Sequence, residues 1–168
     1  MNLSAAVHGG DAANWVPLTE AQAGLWYAQR LDPDNPIFNT GHCTDIHSPL
    51  DVDRFTRAVN HALAEAQALS LRMADLPEGP AQRLDPAHQP RLEIRDLSKD
   101  PRGHAKAMAW LHQDLEQPVD PTREPLARHV LFILGPEHYL WYQRVHHLAA
   151  DGYGMALIEG RSMQLYRA

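Results

Sequence analysis

The sequence holds a single cysteine, Cys43. One thiol excludes an internal disulfide and a multi-cysteine zinc site. Long apolar runs are missing as well, and no stretch approaches the ~20 residues that span a bilayer. Residues Met1 to Asn14 lack the basic and then apolar pattern of a secretory signal. An excess of positive charge is also missing, because the net charge is −6. Nucleic acid and anionic membranes need clustered Lys and Arg, so neither is expected as a partner. These absences lead to the expectation of a cytoplasmic protein. No Gly-x-Ser-x-Gly elbow occurs, which removes a serine hydrolase of that type. No Walker loop or Gly-x-Gly-x-x-Gly occurs, which removes support for nucleotide binding. Internal repeats and low-complexity segments are absent.

What remains is an ordinary globular composition. The 168 residues fit one domain, and 44% are hydrophobic against 21% charged. Residues 1–16 are polar and Gly/Ala-rich and read as a flexible leader, leaving 17–168 as the folded unit. Thr19 is placed to cap a helix over Glu20–Leu31, which the two prolines of Asp32-Pro33-Asp34-Asn35-Pro36 terminate. A strand follows over Thr40–His47. A second helix starts at Ser48 or Asp51 and reaches about Leu69, with Val52, Phe55, Val59, Leu63 and Ala66 on one face.

Ser70–Ala74 and Ala81–Asp85 read as short strands joined by a hairpin-like turn, and Arg91–Leu97 as a third. The next helix spans about Pro101 to Gln117, with Ala105, Met108, Leu111 or His112, and Leu115 turned inward. Asp114 and Glu116 are expected on its solvated face. Pro118–Pro125 is a loop. Ala127–Leu134 and Tyr139–His147 are the two clearest strands, joined by a tight hairpin at Gly135-Pro136-Glu137-His138. Gly154–Tyr166 closes the chain as a helix. Helices mixed with strands and at least one antiparallel hairpin predict an α/β fold, a mixed sheet covered by helices.

The most informative segment is His146-His147-Leu148-Ala149-Ala150-Asp151-Gly152. It places imidazoles at the end of a strand, where the backbone turns and a pocket can open. Histidine, with an unperturbed pKa of roughly 6.5, suits proton transfer near neutrality. Adjacent strand residues face opposite sides of a sheet, so His146 and His147 cannot both enter one site. One is structural and the other can face a cleft; the pattern alone does not say which. The His-His-x-x-x-Asp spacing is not a standard zinc pattern. The other histidines of the 11 are scattered rather than spaced as a ligand set. His42 and Cys43 point apart on their strand, so Cys43 is expected to be buried and inert. A histidine without a protein nucleophile then suits acyl transfer between two bound substrates, as a general base or hydrogen-bond partner.

These residues resemble the His-His-x-x-x-Asp-Gly motif of the condensation domains of nonribosomal peptide synthetases. Leu18-Thr19-Glu20-Ala21-Gln22-Ala23-Gly24-Leu25-Trp26 resembles the family's opening motif, and Asn35-Pro36-Ile37-Phe38-Asn39 its next segment. Trp141 to Gly152 resembles the condensation domains that begin siderophore synthetases of the enterobactin type. The resemblance implies one chloramphenicol-acetyltransferase-like lobe, the N-terminal one, of a two-lobed domain whose site lies in a tunnel between the lobes. The C-terminal lobe, with its latch and floor loop, is absent, so the fragment alone is expected to be inactive.

The same resemblance implies roles. His147 would face the tunnel as the catalytic histidine, acting on the acceptor α-amine as it attacks a donor thioester. His146 and Asp151 would be structural, and Gly152 would let substrate approach the backbone. No cofactor would bind directly; substrates would arrive on the 4'-phosphopantetheine arms of carrier proteins. Further partners would be the missing lobe and a downstream adenylation domain. The family pattern departs here at Ser70, where an arginine is usual, and at Gly154, where a serine is common. Arg72, two residues on and on the same strand face, is the expected partner of Asp151, with Arg144 next. Trp26 and Tyr27 are expected in packing, and Asp32 and Asp34 in the turn. Epimerisation, ester formation and a non-catalytic carrier-docking role are the competing functions.

Overall fold

A computed structural model describes residues 14–168. The expected leader lies outside the described residues up to position 13. Its boundary at 16 moves earlier, because Val16–Pro17 already forms strand β1 against Gln82 and Ala81, and the Arg83 guanidinium sits 4.8 Å from the Trp15 ring centroid. The elements that follow are α1 (Glu20–Leu31), β2 (Asn39–Ile46), α2 (Val52–Glu65), β3 (Leu71–Leu76), β4 (Gly79–Leu84), β5 (Leu92–Asp96), α3 (Gly103–Leu115), β6 (Ala127–Gly135), β7 (His138–His146) and α4 (Gly152–Arg167). No helix among them is long and apolar enough to cross a membrane.

Helix α1 begins as its sequence dictates. The Thr19 side chain accepts from the Gln22 N–H, and the Gln22 side chain accepts from the Thr19 N–H, a reciprocal cap. Helix α2 stops at Glu65 rather than near Leu69. The chain turns at Ala66 into a 3-10 turn over Gln67–Ser70, which buries Leu69 before β3 departs. The Gln89 amide donates to the Leu63 carbonyl in the last turn of α2, an oxygen the helix leaves unpaired. β3 and β4 meet through Pro77-Glu78, and Gly79 holds φ +125°, a left-handed conformation that glycine adopts without a Cβ penalty.

Two sheets form rather than one. A three-stranded antiparallel sheet has the order β1-β4-β3, and a four-stranded sheet the order β2-β7-β6-β5. The second is mixed: β5 pairs with β6 in parallel through the α3 crossover, and the other pairs are antiparallel. β7 is central and paired along both edges. Trp141, Val145 and Leu131 face one side, where α2 and α4 cover them with Phe55, Val59, Leu63, Met155 and Ile158. Tyr142, Leu140, Val130 and Phe132 face the other, under Ala107 and Leu111 of α3. A strand covered on both faces reads as a continuous buried run, which is what Tyr139–His146 shows. Trp26, Met73, Val119, Leu126 and Leu148 form a third cluster that joins α1 and the small sheet to the large one.

Helix α3 turns Leu111, with half-buried Met108 and Leu115, inward as expected, but its inner face is wider. Ala107, Leu111 and Asp114 are buried, whereas Ala105 is exposed. Asp114 belongs to the interior rather than to a solvated face, because it accepts from Arg128 (2.6 Å) and the Tyr142 hydroxyl (3.0 Å) and lies 3.5 Å from Arg144. Two cations and a hydroxyl offset the cost of burying its charge. Tyr27 is exposed while Trp26 is buried, so only the latter packs as expected.

His129 lies fully buried among β6, β7 and β5, and neither ring nitrogen has a hydrogen-bond partner among the described residues. Burial disfavours its charged form and lowers its pKa to about 4. The unfolded chain takes up this proton near pH 6.5, so stability contributed by neutral His129 is present above that pH and lost as pH falls toward 4. The expected loss from this group is up to about 3 kcal/mol. Urea unfolding at pH 7 and pH 4.5 checks it, and His129→Leu is expected to flatten the difference.

Candidate active site

β7 ends at His146, and its pleat carries through the next residue. His146 turns toward α1, and His147 turns to the side of α2 and α4. The two imidazoles meet different surroundings. The His147 N–H donates to the Phe38 carbonyl (2.9 Å), which extends the β2–β7 pairing by one bond.

His146 is 1% exposed. Its Nδ1 accepts from the Leu148 N–H (3.2 Å), so the proton sits on Nε2, which donates to Gln29 Oε1 (3.3 Å). The Gln29 amide in turn donates to the carbonyls of Asp32, Pro33 and Asn35. One glutamine thereby ties the turn after α1 to the end of β7. Burial, then the neighbouring His147 and Arg144, lower the His146 pKa to about 4, so this ring is neutral near pH 7. The ring lies inside the fold, with its N–H on a side-chain oxygen.

His147 is half-buried, and its Nε2 lies 2.8 Å from Thr40 Oγ1. It lines an open depression of about 520 Å³ with Ala66, Leu69, Ala149, Ala150 and Leu157. Thr40 lines a second depression of about 230 Å³, with Gly41, Gly152, Met155 and Glu159. The hydrogen bond between them thus joins the walls of two adjacent hollows, one mostly apolar and one carrying a carboxylate. Glu159 there accepts from Thr44 and lies 3.4 Å from His42. A Cβ on Gly152 would meet nothing within 4 Å, so the backbone at the motif's end is open to a ligand.

The Arg72–Asp151 pair expected from the sequence does not form. Among the described residues no cation lies within ion-pair distance of Asp151, which is exposed and caps α4 by accepting from the Gly154 N–H (2.8 Å). Satisfying a first-turn N–H removes any need for a buried counter-charge. Arg72 instead donates to the Thr122 carbonyl and pairs with Asp85, which binds the 118–125 loop to β3. Arg144 donates to the Asp114 carbonyl beneath α3. Neither arginine reaches the site.

Three contributors escaped sequence reading. Gln22 donates to the Leu148 carbonyl (3.1 Å) and so fixes the loop just past His147. Gln29 and Thr40 were read only as members of a helix and a strand. Gln22 stands in the Ala-Gln of the opening motif, and that was its one available signal. Cys43 is half-buried, and burial, with Asp45 adding to it, raises its thiol pKa, in keeping with an inert side chain.

The condensation-domain family model matches residues 12–168. The sequence is 42% identical over 151 residues to a dimodular nonribosomal peptide synthase of Bacillus subtilis, covering 90% of this chain and 6% of that protein. It is 34% identical over 158 residues to enterobactin synthase component F of Shigella flexneri, covering 91% and 12%. Among solved structures, a variant of the starter condensation domain of rhizomide synthetase in complex with C8-CoA superposes with a TM-score of 0.84 at 35% identity, covering 91% of this chain and 35% of that one. The chain therefore spans about a third of that solved domain and a small part of the curated synthetases.

If Asp151 acts as a cap, Asp151→Ala costs about 1 kcal/mol and Asp151→Asn only a few tenths. Arg72→Ala combined with Asp151→Ala is expected to be additive within about 0.5 kcal/mol. Urea unfolding of the single and double variants checks both.

Proposed function

The chain belongs to the condensation-domain family, and from that membership we propose that it supplies the His147 wall of an amide-forming site of nonribosomal peptide synthesis. Condensation domains are acyltransferases with a chloramphenicol-acetyltransferase-like fold, which the α/β architecture here shares. The observation that carries the reading is the position of His147, half-buried and bonded to Thr40 where two hollows meet.

In this reading the donor is an acyl or aminoacyl thioester and the acceptor an aminoacyl thioester, each on the phosphopantetheine arm of a carrier protein. The acceptor amine attacks the donor carbonyl carbon, a C–N bond forms, and the C–S bond breaks. His147 holds or takes the proton that the amine loses, and the departing thiolate receives one. Thr40 orients the imidazole through Nε2. A group positioned this way contributes typically about 10²–10⁴-fold. His146 does not share the work, because it is buried, neutral and on the opposite strand face.

The larger hollow, lined by alanines and leucines, suits an apolar acyl portion. The solved relative holding C8-CoA supports a thioester of this class. Tyr153 and Leu157 stand exposed beside it at 74% and 57%. Since the chain spans 35% of that relative, the facing wall is assigned to the remainder of the domain, and the 168 residues alone are expected to show no turnover. An adenylation domain and carrier domains complete the proposed setting, in a synthetase of the siderophore type.

Placed in its complete synthetase, His147→Ala is expected to lower amide formation by about 10²-fold or more without a change in thermal midpoint. Thr40→Val is expected to lower it less, with the midpoint likewise kept. Product formation is read by mass spectrometry, and normal yield from His147→Ala would sink the assignment.

A further inference from the structure

The end of the large sheet opposite the site carries a second cluster of chemically active side chains. Asp45 lies in β2, His47 just beyond it, and His138 opens β7. Nothing in the acyl-transfer reading uses them. His138 lies 91 positions beyond His47, which is why spacing gave no sign of a ligand set.

Strand geometry brings them together. Asp45 and His47 are two residues apart and share a face. The antiparallel register sets Asp45 opposite Leu140 and Ile46 opposite Tyr139, so His138 falls beside His47 on that same face. His47 Nε2 lies 3.1 Å and His138 Nε2 3.0 Å from one oxygen, Asp45 Oδ1. The imidazoles stack with centroids 4.4 Å apart and planes 20° from parallel. The three potential ligand atoms all lie within 4.8 Å of one another. His104, in the first turn of α3, stacks on His138 with ring centroids 5.9 Å apart.

From this geometry we propose that Asp45, His47 and His138 form a binding site for a borderline divalent cation of the zinc type. Two imidazole nitrogens and one carboxylate oxygen are the donor types that zinc prefers over magnesium or calcium. Zinc–nitrogen bonds of about 2.0–2.1 Å imply ligand separations near 3.3 Å in a tetrahedron. The two nitrogen–oxygen separations sit close to that value, and the two stacked imidazoles tilt toward each other to admit the ion. The carboxylate supplies negative charge, and solvent has access to the remaining coordination position.

The site is structural. It stands at the opposite end of β7 from His147, a strand length of roughly 27 Å. An ion there fastens the end of β2 to the start of β7. These are the elements whose pairing places Thr40 beside His147.

Zinc chloride titrated into the chelator-treated 168-residue chain at pH 7.5, followed by calorimetry, tests the proposal. One site with a dissociation constant on the order of micromolar is expected, with a rise of about 5 °C in the thermal midpoint at saturation. His47→Ala, His138→Ala and Asp45→Asn are each expected to weaken binding by about 10-fold or more. His61→Ala, on α2 and paired with Glu65, leaves it unchanged. Magnesium chloride in millimolar excess is not expected to compete. Absence of zinc binding overturns the proposal. So does weak multi-site binding that persists undiminished in the His47→Ala/His138→Ala double variant.

Discussion

The pairing of β7 along both edges governs this molecule. β2 on one side and β6 on the other hold every residue of β7 in register, from Tyr139 to Val145. With no freedom to slip, the pleat delivers His146 to one face and His147 to the other. A slip of one residue would exchange them and would also carry Trp141 and Val145 out of the α2/α4 core. Which imidazole is left half-buried is therefore set by the same packing that stabilises the sheet. Chemistry and core share one register.

Around that strand, side-chain amides do the connecting. Gln29 gathers three carbonyls of the turn after α1 and hands its own oxygen to His146. Gln22 closes the α1 cap and reaches Leu148. Phe38 offers its carbonyl to the His147 N–H. Three stretches far apart in sequence, the start of α1, the turn before β2 and the end of β7, therefore meet within a few residues of His147. Buried amides and a neutral imidazole make such a junction without burying unpaired charge.

Much of this was readable in the sequence, and the reasons for the rest are physical. α1 matched from Glu20 to Leu31 because both its signals are local, a threonine cap and a pair of prolines. The β6–β7 hairpin matched because Gly-Pro-Glu separates two apolar runs. α3 and most of its inner face were legible but the burial of Asp114 was not, since it looks like a solvent residue until Arg128, Tyr142 and Arg144 arrive from strands beyond it. Asp151 was given an arginine on the assumption that it is buried, yet it caps a helix at the surface. Strand alternation left open which imidazole faces a cleft, and only the family resemblance pointed to His147. That choice, and the part played by Thr40, depends on a strand register that no local pattern encodes.

One consequence concerns the order of events during synthesis. Among the described residues β2 is an edge strand whose one partner is β7, and the hydrogen bond between Thr40 and His147 spans 107 positions. At translation rates of about 5–20 residues per second, a strand that has left the ribosome waits roughly 5–20 s for its partner to follow. Throughout that interval its backbone donors and acceptors are open to any passing strand. Asn39, Thr40, His42, Thr44 and Asp45 give it a polar character that discourages such encounters. The residue that orients the imidazole thus belongs to a segment shaped to remain solitary in a crowded cell until the last quarter of the chain appears.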